Sequence, residues 1–186
     1  MTPVPKVWRL VVVGTLLLGC VGCDQISKGM ARELLGSGES YTFLGDTLRL
    51  VYAENPGVFL GLGANLAEST RVILFQGLTG LLVAALLWIS AIRPATHPWT
   101  AVGLALLAAS GLGNLLDRLN HDGRVIDFLN LGIGGLRTGI FNIADVVGVL
   151  GVAILLLAPS RILARGHPRY PRNAAAECIK TRRDKS

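Results

Sequence analysis

Four apolar stretches, residues 7–23, 72–92, 99–116 and 140–158, limit what this chain can fold into more than any other feature. At about 1.5 Å per residue each comes close to the reach needed to cross a bilayer's hydrocarbon as a helix. A backbone in lipid has no water to bond, so such stretches must satisfy their amides internally. The fold class that follows is mainly α, a membrane protein of four transmembrane helices. With 51% hydrophobic residues and only 16% charged, the rest of the chain agrees.

A net charge of +6 would suggest nucleic acid in a soluble protein, but here the placement of the cations matters more than their sum. In a four-span arrangement Lys6, Arg9, Arg93, Arg161, Arg165 and the cations up to Lys185 share one side, which should be cytoplasmic and hold both termini. Lys28, Arg32, Arg49, Arg71, Arg118, Arg124 and Arg137 fall on the other, where Asp and Glu outweigh them. The chain thus divides into one polytopic domain over residues 1–165 and a basic cytoplasmic tail over 166–186, an anchor on anionic membrane lipids with no nucleic-acid partner.

Cys20 and Cys23 have the spacing of metal ligands, yet they lie in an apolar helix without a second pair, so they read as small apolar filler and no metal is expected. The basic start, apolar run and Leu17-Leu18-Gly19-Cys20 also suit a lipoprotein's own signal peptide. Against that, Asp24 and Lys28 continue in helical register, four apart, so a retained helix should run to about Leu35, where Gly36-Ser37-Gly38 stops it.

From Tyr41 the periodicity changes to two, and strands are expected over 41–44 and 47–53, joined at Gly45-Asp46. A small extracytoplasmic β region, about 41–63, should therefore lie between helices 1 and 2. Glu54-Asn55-Pro56-Gly57 turns the chain, and the apolar residues 58–63, too short to span, suit a lid or substrate edge. The second span carries Gln76 as its one amide intruder and reads as a wall. In the third, Asn114, Asp117 and Arg118 stand at i, i+3 and i+4, hence on one face. Residues 125–128 are extended, and 132–139 form a glycine-rich loop that leads back to the fourth span.

The chemistry centres on Phe141-Asn142-Ile143-Ala144-Asp145, which heads that last span with an amide and a carboxylate on one face. A carboxylate there is costly and by default faces a site, on the order of 5 to 8 Å below the helix start. Its best partner is Asp127, since two carboxylates in a partly dry pocket share a proton, the arrangement of an aspartic protease. Each polar residue also has a plain reading. Asp117 beside Arg118 reads as a structural ion pair at a helix end, and Asn114 and Asn142 as hydrogen-bonding links between helices. Ser110-Gly111 approaches the motif of intramembrane serine proteases, but His97, His121 and His167 all lie outside the spans and no HExxH occurs. A proton-coupled small transporter is the rival from another class, although four spans without an internal repeat count against it.

Five blocks in order resemble the lipoprotein signal peptidases, or signal peptidase II: Asp24-Gln25-Ile26-Ser27-Lys28, Glu54-Asn55-Pro56-Gly57-Val58-Phe59, Gly111-Leu112-Gly113-Asn114-Leu115-Leu116-Asp117-Arg118, Val125-Ile126-Asp127-Phe128 and the Asn142 block. The resemblance covers nearly the whole chain. It implies an aspartyl endopeptidase of the bacterial inner membrane that removes signal peptides from prolipoproteins by cleaving before the diacylglyceryl-modified cysteine. Asp127 and Asp145 would be catalytic, and Asp24, Lys28, Asn55, Gly57, Asn114, Arg118 and Asn142 would line or brace the substrate site. It further implies no cofactor, a monomer, sensitivity to globomycin-type inhibitors and an active site near the outer face.

Overall fold

The computed structural model describes residues 5–57, 65–92 and 97–158. The expected lid over 58–63, most of the turn after the second span and the basic tail lie outside the described residues. Helix α1 is one unbroken rod, Lys6–Leu35. Strands β1, Ser40–Phe43, and β2, Leu48–Asn55, follow. The second apolar segment begins with α2, Glu68–Arg71, passes through a π-turn, Val72–Gly77, and continues as α3, Leu78–Ile92. Helix α4, Pro98–Asn120, has its proline at the start, where the missing N–H costs nothing. Strands β3, Val125–Ile133, and β4, Leu136–Arg137, precede α5, Ile143–Leu157.

Among the described residues, three segments are long and apolar enough to cross a membrane: α1, residues 68–91 and α4. The fourth, α5, has 15 residues, about 22 Å of rise against roughly 30 Å of hydrocarbon. Large apolar side chains such as Leu18, Leu81, Trp88, Leu156 and Leu157 stay exposed on these helices, which suits contact with lipid. Helix α4 is the central element and packs on α1, α3 and α5. Away from the sheet, Arg9 donates to the Ser90 carbonyl at 2.7 Å and the Ser90 hydroxyl to the Ala101 carbonyl at 2.8 Å, which ties α1, α3 and α4 together.

The sheet is larger than the expected hairpin. Its antiparallel order is β1-β2-β3-β4, so its second half comes from between α4 and α5. The glycine-rich loop expected over 132–139 is accordingly corrected to strand, turn and strand, with Gly134 at φ +57 in the turn. Side chains stitch it down: Arg137 bonds Asn130 Oδ1 and the Asp46 carbonyl, and Asn130 donates to the Thr138 carbonyl. Ala31, Leu35 and Phe128 form a buried cluster with Leu50, Tyr52, Leu129 and Ile143 where α1, the sheet and α5 meet. Fully burying a side chain like Leu35 stabilises a fold by about 1.5–3 kcal/mol. This junction therefore sets where β3 and the start of α5 lie relative to each other.

Candidate active site

Asp127 lies in the buried stretch of β3, opposite Ala53. The pairing with β2 shifts register between Leu50 and Ala53, a bulge of the kind that re-aims side chains beside functional sites. Phe141 is pinned to the same strand, donating to the Leu129 carbonyl at 2.8 Å and accepting from Phe128 N at 3.0 Å. The next residue, Asn142, must then start α5 alongside Asp127.

Asn142 caps α5 in a capping box: its side chain accepts from Asp145 N, and the Asp145 carboxylate accepts from Asn142 N at 3.1 Å. Asp145 thus sits in the first turn of α5, shallower than the depth expected from sequence. The Asn142 amide also donates to Asp127 Oδ1 at 2.6 Å, so one fully buried residue bridges both aspartates. Their second oxygens are held by other asparagines. Asn55 donates to Asp127 Oδ2 at 3.1 Å, and Asn114 donates to Asp145 Oδ1 at 3.1 Å.

Neither asparagine is free to flip. Asn55 Oδ1 accepts from Gly57 N at 2.9 Å in an Asx turn, which leaves its NH₂ to Asp127. Asn114 Oδ1 accepts from Lys28 Nζ at 3.0 Å and from Asn142 Nδ2 at 3.1 Å. An ammonium has no acceptor, so it orients the Asn114 carbonyl toward itself and the NH₂ toward Asp145. Arg118, one turn along α4, donates to the Gly57 backbone carbonyl at 2.9 Å and the Asn114 backbone carbonyl at 3.1 Å, steadying both neighbours.

Beneath these lies a buried ion triad. Lys28 Nζ is 2.7 Å from Asp24 Oδ2 and 2.8 Å from Asp117 Oδ2, with Asp24, Lys28 and Asp117 at most 2% exposed. Asp24 accepts from Ala144 N at 2.8 Å, and Asp117 from Ile126 N at 3.1 Å. Each of these carboxylates therefore grips the amide of the residue immediately before one of the paired aspartates. Gln25 closes the network from below, donating to Asp117 Oδ1 at 2.9 Å and the Gly113 carbonyl at 3.2 Å.

A cavity of about 450 Å³ opens above the paired aspartates. Asn55, Gly57, Asn114, Arg118 and Asn142 all line it with Asp127 and Asp145, while Val146, Val149 and Leu150 of α5 extend it as an apolar wall. Asp24 and Lys28, expected with the others to line or brace the site, are not among the residues that line this cavity; both are buried, and Lys28 reaches it through Asn114. Asp117 is structural as read, but its partner is Lys28 rather than Arg118. Gln25 went unremarked in sequence although it lies inside a recognised block. Burial pushes the Asp127 carboxyl up to about 6, with the Asp145 charge adding to the rise and the Asn55 and Asn142 donors opposing it. One carboxyl near neutrality beside a second, in a half-enclosed cavity with amide donors, is equipped for acid–base hydrolysis.

A family model for signal peptidase (SPase) II matches residues 16–160. A lipoprotein signal peptidase of Moorella thermoacetica is 39% identical over 148 residues, 78% of this chain and 92% of the relative. One from Chlorobium phaeobacteroides is 34% identical, over 75% of this chain and 84% of its own. A solved bacterial membrane enzyme superposes with TM-score 0.68 at 27% identity, covering 78% of this chain and 85% of that one. A second superposes with TM-score 0.68 at 26% identity, covering 83% and 94%.

Proposed function

The chain belongs to the signal peptidase II family, and from that premise we propose that Asp127 and Asp145 are its catalytic pair. It is an aspartic-type peptidase of the membrane that removes signal peptides from prolipoproteins. Family membership displaces the transporter reading. The observation that carries the catalytic assignment is Asn142, which donates from its side chain to one aspartate and from its backbone to the other at the floor of the cavity.

In the proposed reaction the ionised carboxylate takes a proton from water as its oxygen attacks the scissile carbonyl, and the protonated carboxyl donates to that carbonyl. Collapse of the tetrahedral adduct breaks the C–N bond. The amine leaves with the proton taken from water, the adduct's hydroxyl returns its proton to the carboxylate that had donated it as the new carboxyl group forms, and the pair again shares one proton. Arg118 and Asn114 face the cavity as donors suited to the developing oxyanion. Gly57 and Asn55 also line the cavity. The apolar wall of Val146, Val149 and Leu150 suits the acyl chains of a diacylglyceryl-modified cysteine, with cleavage on its N-terminal side. In this proposal the enzyme acts as a monomer, and globomycin-type compounds inhibit it by competing for the cavity lined by Asp127 and Asp145.

The proposed setting is the bacterial inner membrane, four spans, both termini cytoplasmic and the sheet end outside. The test is cleavage of a diacylglyceryl-modified prolipoprotein by purified protein, with and without chelator. Cleavage unchanged by chelator and abolished in Asp127→Asn and Asp145→Asn fits the aspartyl mechanism. Chelator-sensitive cleavage sinks it.

A further inference from the structure

Arg118, which lines the active-site cavity, also lines a second cavity of about 190 Å³, bordered by α2, the π-turn and the end of α4. Glu68, Arg71, Gln76, Arg118 and Asp122 face it, so two cations and two carboxylates surround one space. Among the described residues no ion pair joins Arg71 to Glu68 or Asp122. The Nε atoms of Arg71 and Arg118 are both buried without an acceptor, and Arg118 as a whole is 6% exposed. A buried guanidinium donor left unmatched is costly and calls for a ligand oxygen.

The charges narrow the ligand. Guanidinium forks match phosphate oxygens, whereas Glu68 and Asp122 repel a purely anionic group and attract an ammonium. Opposite charges that face one cavity without pairing fit a molecule that carries both. The surroundings name its source: Val72 and Leu119, both exposed, border the cavity, and the neighbouring Ile73 and Leu74 are exposed apolar side chains of the same apolar segment. The volume is below that of a site for a whole drug-sized ligand, roughly 300–1,000 Å³, and suits a headgroup whose tails run outside. The π-turn that contributes Val72 and Gln76 is a type of irregularity that recurs at functional sites.

We propose that this cavity binds the zwitterionic phosphate-and-amine headgroup of a membrane phospholipid, with the phosphate on Arg71 and Arg118 and the ammonium on Glu68 and Asp122. Because Arg118 also lines the active-site cavity, the bound headgroup sits against a residue that faces substrate.

The test uses the full chain, delipidated in mild detergent and offered phosphatidylethanolamine or phosphatidylglycerol, with retained lipid counted by native mass spectrometry. Wild type should retain phosphatidylethanolamine about tenfold better than phosphatidylglycerol, the discrimination expected of a difference near 1.4 kcal/mol. Arg71→Gln should lower retention about tenfold, and Arg71→Lys should restore part of it, while both still cleave detergent-dispersed substrate and so are folded. The double variant Glu68→Gln, Asp122→Asn should lose the preference between the two lipids. Equal retention of both lipids by wild type, or wild-type retention by a cleavage-competent Arg71→Gln, overturns the proposal. Free O-phosphoethanolamine should not displace the lipid at comparable concentration; displacement would overturn the lipid source and assign the site to a soluble phosphoamine.

Discussion

Asp127 and Asp145 differ in what surrounds them, and that difference can be tested one residue at a time. Asp127→Asn and Asp145→Asn keep the side-chain shape and remove only a titratable proton. Each should lower turnover by at least about 100-fold to 10,000-fold while binding of a globomycin-type inhibitor persists, measured side by side on purified protein. The pH dependence follows from Asp127, whose carboxyl is pushed up to about 6 by burial. Its folded value lies above the ordinary one, so the proton is held up to about pH 6 and lost as pH rises through it. A pair that needs one proton should therefore lose activity on an alkaline limb at about 6 or higher, since bound substrate buries the group further, and the limb belongs to the pair. Asn55 donates to the ionised form of Asp127 and so opposes that rise. Asn55→Ala should move the alkaline limb of the rate profile upward; a downward move would contradict the assignment.

At the scale of elements, the site depends on where α1 meets α4 and α5. Lys28 holds two buried carboxylates, each of which grips the amide before one of the paired aspartates. Lys28→Met would leave Asp24 and Asp117 buried and unpaired, a loss of about 3–5 kcal/mol for a broken buried pair, readable as a lower unfolding temperature. The close approach of these helices needs Gly113, where a Cβ would stand 2.7 Å from Asp24 Oδ2 and 3.3 Å from the Ala144 Cβ. Gly113→Ala should therefore lower both thermal stability and turnover, whereas Ala at the open Gly22 should change neither. Part of this was readable in the sequence. Asp24 and Lys28 at i and i+4 announced their pair, and Asn142 with Asp145 at i and i+3 share the capping box. The third member was not, because Asp117 has Arg118 as its chain neighbour and nothing local shows that α1 supplies its cation. The second half of the sheet was hidden for a related reason. The first four residues of β3 are all buried, which removes the alternation that marks a half-exposed strand, and its partners lie far along the chain.

For the whole molecule, the paired aspartates, the sheet and both cavities gather at one end of the helices, and Arg9 with Ser90 marks the opposite end. The asymmetry of Lys and Arg is the ground for the proposed orientation, with the sheet end outside the cytoplasm. That orientation depends on α5 crossing fully, yet α5 alone covers about 22 Å in its 15 residues. A helix that much shorter than the hydrocarbon crosses by local thinning of the bilayer or with help from the residues that follow it. Its first turn is also occupied by Asn142 and Asp145, which belong near the interface rather than in lipid. Four crossings and three crossings with a re-entrant α5 therefore predict different positions for the C-terminus. Reporters fused at Ser186 and inserted beside His121, at the sheet end of α4, should signal from opposite sides, Ser186 from the cytoplasm. Should both signal from the same side, α5 does not cross, and the basic tail then lies on the side of the active site rather than opposite it.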